Sequence, residues 1–395
     1  MTPTDRLIAA LRGEPVDRVP VWLMYPPTTH PSYADIHHEP SYAPVIAAAR
    51  ERSEWFHRVG VRGKVVTGGS PPARQVEKTP DREVWEQATP LGTLTWGRER
   101  RGEGWLPIPR FKAPADLKKA LSLAWEPPDY DFAEFLAALR GGPDWALPMT
   151  EFSDAFSSLY SNARHDDLVV WAVTEPDLVD AYLAEMHRRQ MHLLTEALKV
   201  LARAPAGAES PEMGTGTDFG KSTEIGASPH FLTPVFFLFG SEFAAPPMCS
   251  PKTFERVVAR YDAEIIASIH AAGGLCPVHH HGDILDLLPI FRDMGADGVQ
   301  PIEAPPTGDC PIAEIRPRTH ARFCVIGNVQ YDDLVRHTTA QIRRQVFNLL
   351  DACGPRAIIV APTAGPYEPR ITPRMADNYL AMIDATHDWS ARHGV

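Results

Sequence analysis

The chain is poor in the features that would tie it to an oxidising compartment, a membrane or a polyanion. Its five cysteines, Cys249, Cys276, Cys310, Cys324 and Cys353, are odd in number and include no C-x-x-C pair. That excludes a disulfide framework and suits a reducing cytosol. The most apolar run, Val235 to Gly240, is far shorter than the roughly 20 residues a membrane helix needs. The opening MTPTDRLIAALRGE has no signal-like apolar core, so a soluble, cytoplasmic protein is expected. Lys and Arg number 39 against 50 Asp and Glu, a formal net charge of -11, which argues against nucleic acid and anionic membrane as partners. No G-x-G-x-x-G follows the first strand-like segment, which counts against an open dinucleotide-binding sheet.

What is present is a succession of strand-then-helix units in the second half. Residues 253–272 carry Phe254, Val257, Val258, Tyr261, Ile265 and Ile269 at helical spacing, and Gly273-Gly274 stops them. Strand 275–281 and helix 283–294 follow, then strand 298–303 and a short helix from Pro311. Strand 323–329 leads to helix 339–352, and strand 357–363 to a last helix over 372–392. The strands are rich in Val and Ile without polar alternation, as in a parallel sheet buried on both faces.

The first half is less regular. It reads as strand 19–25, a helix near 41–56, an antiparallel excursion over 62–112, strand 145–150 and a long helix 176–203 with Thr174 as its N-cap. The Gly/Ser/Thr/Pro-rich segment 204–234 is long for a bare connection and is expected to be a functional loop. About eight strands, mostly each trailed by a helix, point to an α/β fold of the (β/α)8 TIM-barrel class, with residues 1–395 as one domain.

In such a barrel the chemistry sits at the C-terminal ends of the strands. That rule selects Tyr25, Glu151, Asp218, Glu242, His279, His281, Gln300, Glu303, Asn328, Gln330 and Thr363. The densest signal is GGLCPVHHHGDILDLLPIFRDMGADGV, residues 273–299, where a strand runs through three histidines into a helix. Strand alternation turns His279 and His281 to one side and His280 to the other. Paired imidazoles at a strand end suit metal ligation or general-base work, or one catalytic histidine beside two that only hydrogen-bond.

Several segments resemble the uroporphyrinogen decarboxylase superfamily, most of all its methyltransferase branch, which includes corrinoid:coenzyme M methyltransferases. DRLIAALRGEPVDRVPVW resembles the family's start, and HHHG followed by LLPIFRDMG is similar to its H-x-C-G and L-L-P-x-x-x-x-M-G segments. IGNVQYDDLVRHTTAQIRRQV and IIVAPTAGPYEPRITPRMADNYLAMIDA resemble its G-N-x-D stretch and its closing strand, loop and helix. The resemblance implies a barrel enzyme with a methyl-transfer or carboxy-lyase site.

The departures narrow that implication. Where the family's decarboxylases carry R-Q-A-G-R, this chain has Met24-Tyr25-Pro26-Pro27-Thr28-Thr29, with no cation for a polycarboxylate. An F-S-D-I-L-like acidic motif has no counterpart near Ile36-His37-His38. Uroporphyrinogen decarboxylation is therefore disfavoured. The methyltransferase branch holds zinc with one His and two Cys; His279 matches the His, but His281 and Thr363-Ala364 stand where the thiolates would be. A set of His279, His281 and Glu242 around zinc or another divalent metal stays open.

The expected activity is methyl transfer from a corrinoid, a tetrahydrofolate or a methylated small molecule to an acceptor activated at a His-lined mouth. The alternatives are decarboxylation of a smaller acid, or ligand binding without turnover. Catalytic roles fall to His279, Glu151, Asp218 and Glu303, and substrate contacts to Tyr25, Gln300, Asn328, Gln330 and Thr363. Expected partners are a small-molecule substrate, a corrinoid protein and, in a homodimer, a second copy of the chain.

Overall fold

The computed structural model describes residues 1–30, 32–203 and 233–395. Asp218 and nearly all of the 204–234 segment lie outside the described residues. Strand β1 is Phe56–Gly60, and an antiparallel excursion follows it. That excursion comprises β2 (Lys64–Gly69), β3 (Arg74–Lys78), β4 (Arg82–Thr89), β5 (Gly92–Arg101), β6 (Gly104–Ile108) and β7 (Glu126–Asp131). The main sheet then continues with β8 (Leu147–Ser153), β9 (Val235–Phe239), β10 (Val278–His279), β11 (Gly298–Gln300), β12 (Cys324–Val329) and β13 (Ile358–Pro362).

Seven strands form one parallel sheet in the order β1-β8-β9-β10-β11-β12-β13, while β2-β7 and β3-β4-β5-β6 make two antiparallel sheets. The seven-stranded sheet curls into a TIM-like barrel. Its two edges meet through the segment read as strand 19–25, where Val21 bridges Val360 of β13 and Trp22 bridges Glu54, just ahead of β1. The eighth staves of the ring is therefore only two residues of ladder.

One buried carboxylate holds that closure. Glu54 is 1% exposed and accepts from Val21 N at 2.7 Å, while its own N–H donates to Val21 O at 2.8 Å. Its other oxygen lies 2.6 Å from both Arg6 Nη1 and Arg18 Nη2. Arg6 belongs to the N-terminal helix Pro3–Leu11, opened by a capping box in which Thr2 Oγ1 accepts from Asp5 N. This helix lays Leu7, Ile8, Ala10 and Leu11 against the barrel lumen residues Trp22, Phe56, Leu147, Val235, Leu275, Cys324 and Ile359, plugging the N-terminal end. Helices outside the ring, chiefly Pro176–Arg203, Thr339–Cys353 and Pro373–His393, cover the opposite face of the strands.

Two expectations are corrected. The 41–56 segment is a helix only over Ala43–Arg52, and its end is strand: Phe56 begins β1. Thr174 does not cap the long helix. It closes the preceding helix His165–Thr174, its hydroxyl donating back to Val170 O at 3.1 Å, as a helix-interior threonine does.

Removing Glu54 takes the buried carboxylate from Arg18 and from one arm of Arg6, which keeps Asp17, and breaking a buried pair costs about 3–5 kcal/mol. Glu54→Ala should lose that much stability in urea unfolding. Arg343→Ala, which breaks a half-exposed pair with Asp388, should lose less than about 1 kcal/mol. Equal losses from the two variants would contradict the role given to Glu54.

Candidate active site at the barrel mouth

Strand alternation fixes which side chains enter the lumen. Trp22 and Met24, Phe56, Leu147 and Met149, Val235 and Phe237, Leu275, Cys324 and Ile326, and Ile359 and Ala361 form one apolar cluster. Continuing each strand at the same parity brings Arg58, Glu151, His279, Gln300, Asn328 and Thr363 into the layer above it. The lumen is hydrocarbon below and polar at its C-terminal mouth.

The His279 and His281 rings sit edge to face with centroids 4.8 Å apart. His280 is turned away, fully buried between Phe254 and Phe291, and burial pushes its pKa down to about 4. Gly282, at φ 85°, supplies the left-handed turn that ends the triplet.

Each mouth histidine has its Nδ1 committed. His279 Nδ1 lies 2.7 Å from Gln300 Oε1, an acceptor, so Nδ1 carries the proton and Nε2 keeps its lone pair. Gln300 is itself fixed, fully buried with its amide donating to Met24 Sδ at 3.2 Å. His281 Nδ1 lies 3.3 Å from Glu303 Oε2, which also accepts from Gly282 N at 2.8 Å. Burial works against the Glu303 charge, but these donors hold its pKa below the ordinary carboxylate range.

Glu242, in the 3-10 turn after β9, faces His279 Nε2 at 3.7 Å. Burial pushes its carboxyl above the ordinary range, offset in part by its own N–H and by His281. Among the described residues no Lys or Arg pairs with it. Two acceptors, a bare imidazole nitrogen and a carboxylate, thus face one another and call for a shared proton or cation.

The other candidates divide. Glu151 is in the mouth, bound by Arg58, whose Nε donates to Glu151 Oε1 at 2.6 Å and whose Nη1 donates to Tyr33. Asn328 is nearly buried and its Nδ2 has no hydrogen-bond partner, so its amide is available to a ligand. Gln330 and Thr363 satisfy each other instead: the Thr363 hydroxyl donates to Gln330 Oε1 at 3.2 Å, and Gln330 Nε2 donates to Ala304 O. Tyr25 has the wrong parity for the lumen, and its ring packs among Tyr42, Trp55 and Tyr379 on the helix side.

Two groups near the mouth went unread. Arg58 lies in β1, in the gap between the helix expected over 41–56 and the excursion expected from 62; an arginine two residues past a lumen Phe is the signal that points to it. Asp154 is fully buried, caps helix Ala155–Tyr160 by accepting from Ser157 N at 2.6 Å, and is pushed up to about 8, by burial first and then by Glu242.

Comparison with known proteins bears on the fold. Residues 238–389, from β9 through the last helix, match the family model described as uroporphyrinogen decarboxylase (URO-D). The match is confined to this stretch, which is similar to the uroporphyrinogen decarboxylase family. Among solved structures, a methyltransferase from Methanosarcina mazei superposes with a TM-score of 0.55 at 16% identity, covering 98% of this chain and 99% of its own. A B12-independent methionine synthase from a Shewanella species, in complex with selenomethionine, gives a TM-score of 0.45 at 8% identity, covering 95% and 98%. No curated protein matches the sequence.

The family's thiolate zinc set does not fit, because His281 and Thr363 occupy its cysteine positions. Imidazole ligation fits in its chemistry: each histidine has Nδ1 tied to an acceptor and Nε2 free, as in ligating histidines. Among the described residues, however, no three His, Cys, Asp or Glu side chains are already gathered for one ion.

Burial, then the neighbouring His281, push His279 down to about 3 against the opposing hydrogen bond from Gln300. An unfolded imidazole titrates near 6.5. The folded state therefore binds fewer protons below that value, and this contribution to stability is intact above pH 6.5 and lost progressively as pH falls toward 3. In metal-free protein the His279 ring resonances should stay unshifted from pH 8 to pH 5 by NMR. A midpoint near 6.5 would show that the ring is solvated.

Proposed function

We propose that the protein is a methyltransferase whose mouth binds an acceptor against His279, His281 and Glu242. The observation that carries this reading is the facing of His279 Nε2 and Glu242 at 3.7 Å, with Gln300 fixing the tautomer. The fold neighbour that is itself a methyltransferase supports the reaction class, and the family-model match of residues 238–389 supports an enzyme.

A divalent ion, zinc being the family's choice, would be held by His279, His281 and Glu242. Bound there, it supplies positive charge that lowers the pKa of an oxygen or thiol acceptor. The chain's own residues do the rest. Burial keeps His279 neutral, Gln300 accepts from its Nδ1 so that the Nε2 lone pair faces the acceptor, and Glu303 orients His281 through Nδ1. With Glu242 given to the ion, the proton that the acceptor gives up passes to water. The Asn328 amide donates to the bound molecule and orients it. The methyl donor in this reading is a corrinoid, a tetrahydrofolate or a methylated small molecule, and a corrinoid donor would arrive on a partner protein.

A second reading, decarboxylation of a small carboxylic acid, is favoured by one observation: Arg58 puts a cation in the mouth that the first strand's Met24–Thr29 segment lacks.

Metal analysis of the native protein beside His279→Ala and Glu242→Gln tests the site. Both variants should lose metal and reduce methyl transfer from methylcobalamin to a thiol by about 100-fold. Unchanged metal content and rate in both would refute it. Asn328→Ala should raise KM or lower kcat with little change in Tm, whereas a change confined to Tm would make Asn328 structural.

A further inference from the structure

We infer that Arg58 is the anchor for a carboxylate on the substrate, so that the methyl-transfer site serves small carboxylic acids. The inference rests on the proposed reading above, in which a cation held by Glu242 offsets the charge of that side of the mouth.

The sequence lacks a cation after the first strand, and Arg58 supplies one from the next strand by parity. Phe56 lies in the lumen floor, and Arg58, two residues on, stands in the polar layer. Its guanidinium is held between the rings of Tyr33 and Phe237, 6.0 and 5.9 Å from their centroids. It is thereby aimed before any ligand arrives, which reduces the entropy lost on binding.

The hydrogen-bond inventory leaves capacity. A guanidinium has five N–H groups. Nε and Nη2 both go to a single oxygen of Glu151, and Nη1 goes to the Tyr33 hydroxyl. One N–H remains on each Nη, and these are the donors left for a second carboxylate. The Arg58 side chain is 28% exposed, so those donors are not sealed in protein.

Space for the anion lies beside it. A recess of about 40 Å³ is lined by Trp22, Met24, His30, Tyr33, Phe56 and Arg58. A water needs roughly 10–15 Å³ on the same measure, so the recess takes a carboxylate head and a short apolar stem. Met24 is shared with the catalytic side, since its sulfur accepts from the Gln300 amide that orients His279. An acid seated on Arg58 with its stem over Met24 lies beside the residue whose sulfur holds Gln300, the partner of His279. Among the described residues that line the recess, a long or polycarboxylic substrate would find neither the room nor a second Lys or Arg.

Calorimetric titration of the purified protein with acetate, propionate and benzoate, beside the matching amides, tests the assignment without any turnover. The carboxylates should bind and the amides should not, with chain length limited by the recess. Glu151→Gln, which removes the competing anion from Arg58, should tighten carboxylate binding about tenfold, and Arg58→Gln should abolish it. If Arg58→Gln does not fold by circular dichroism, the Glu151→Gln comparison decides alone. Equal binding of acids and amides, or carboxylates that bind neither wild type nor Glu151→Gln, would overturn the assignment while leaving methyl transfer standing. Carboxylate binding without methyl transfer but with release of carbon dioxide would keep Arg58 as anchor and replace the reaction.

Discussion

The two-residue repeat of a parallel strand governs this molecule, because it decides which side chains share the lumen. Below the mouth every lumen position is apolar, from Trp22 round to Ala361, and the N-terminal helix seals the far end with Leu7 and Leu11. At the next repeat the same strands present Arg58, Glu151, His279, Gln300 and Asn328. Polar groups that would be expensive deeper in the barrel are tolerable here because they meet one another, a ligand or water. The ring must close for this layer to exist, and closure depends on Val21 and Trp22, locked to Glu54 beneath two arginines.

Within that layer three carboxylates have been given three different electrostatic settings. Glu151 is neutralised by Arg58, Glu303 is held ionised by Gly282 N–H and His281, and Glu242 is left with a lone-pair nitrogen in front of it. Glu303 and Glu242 have their pKa values moved in opposite directions, which assigns roles without any change of residue type. The two histidines are likewise distinguished, since His279 is buried against an amide whereas His281 is more exposed and answers to a carboxylate.

Much of this was legible in the chain. The strand-helix alternation after residue 235 and the opposed facing of His279 and His280 follow from periodicity alone, and the structure shows both. The superfamily resemblance was carried by motifs in the last third, which is where the family model matches. The misses share a physical origin in short or irregular elements. Ser53 to Trp55 passes directly from helix end to strand, so a helix extrapolated to Phe56 covers the first residue of β1 and leaves Arg58 in a stretch with no assigned element. Tyr25 was placed at the mouth by its position at a strand end, although its parity sends it among the helices. Gln330 and Thr363 looked like ligand contacts one at a time, and only the fold shows that they bond to each other.

The central claim is that His279, His281 and Glu242 act together on one cation in the absence of any thiolate. X-ray absorption at the zinc edge, on protein loaded with one equivalent of zinc, tests it most directly. The account predicts a first shell of nitrogen and oxygen at about 2.0–2.2 Å with two imidazoles and no sulfur. It also predicts loss of the bound ion in His279→Ala. Sulfur scattering near 2.3 Å, or a spectrum unchanged by that substitution, would contradict it.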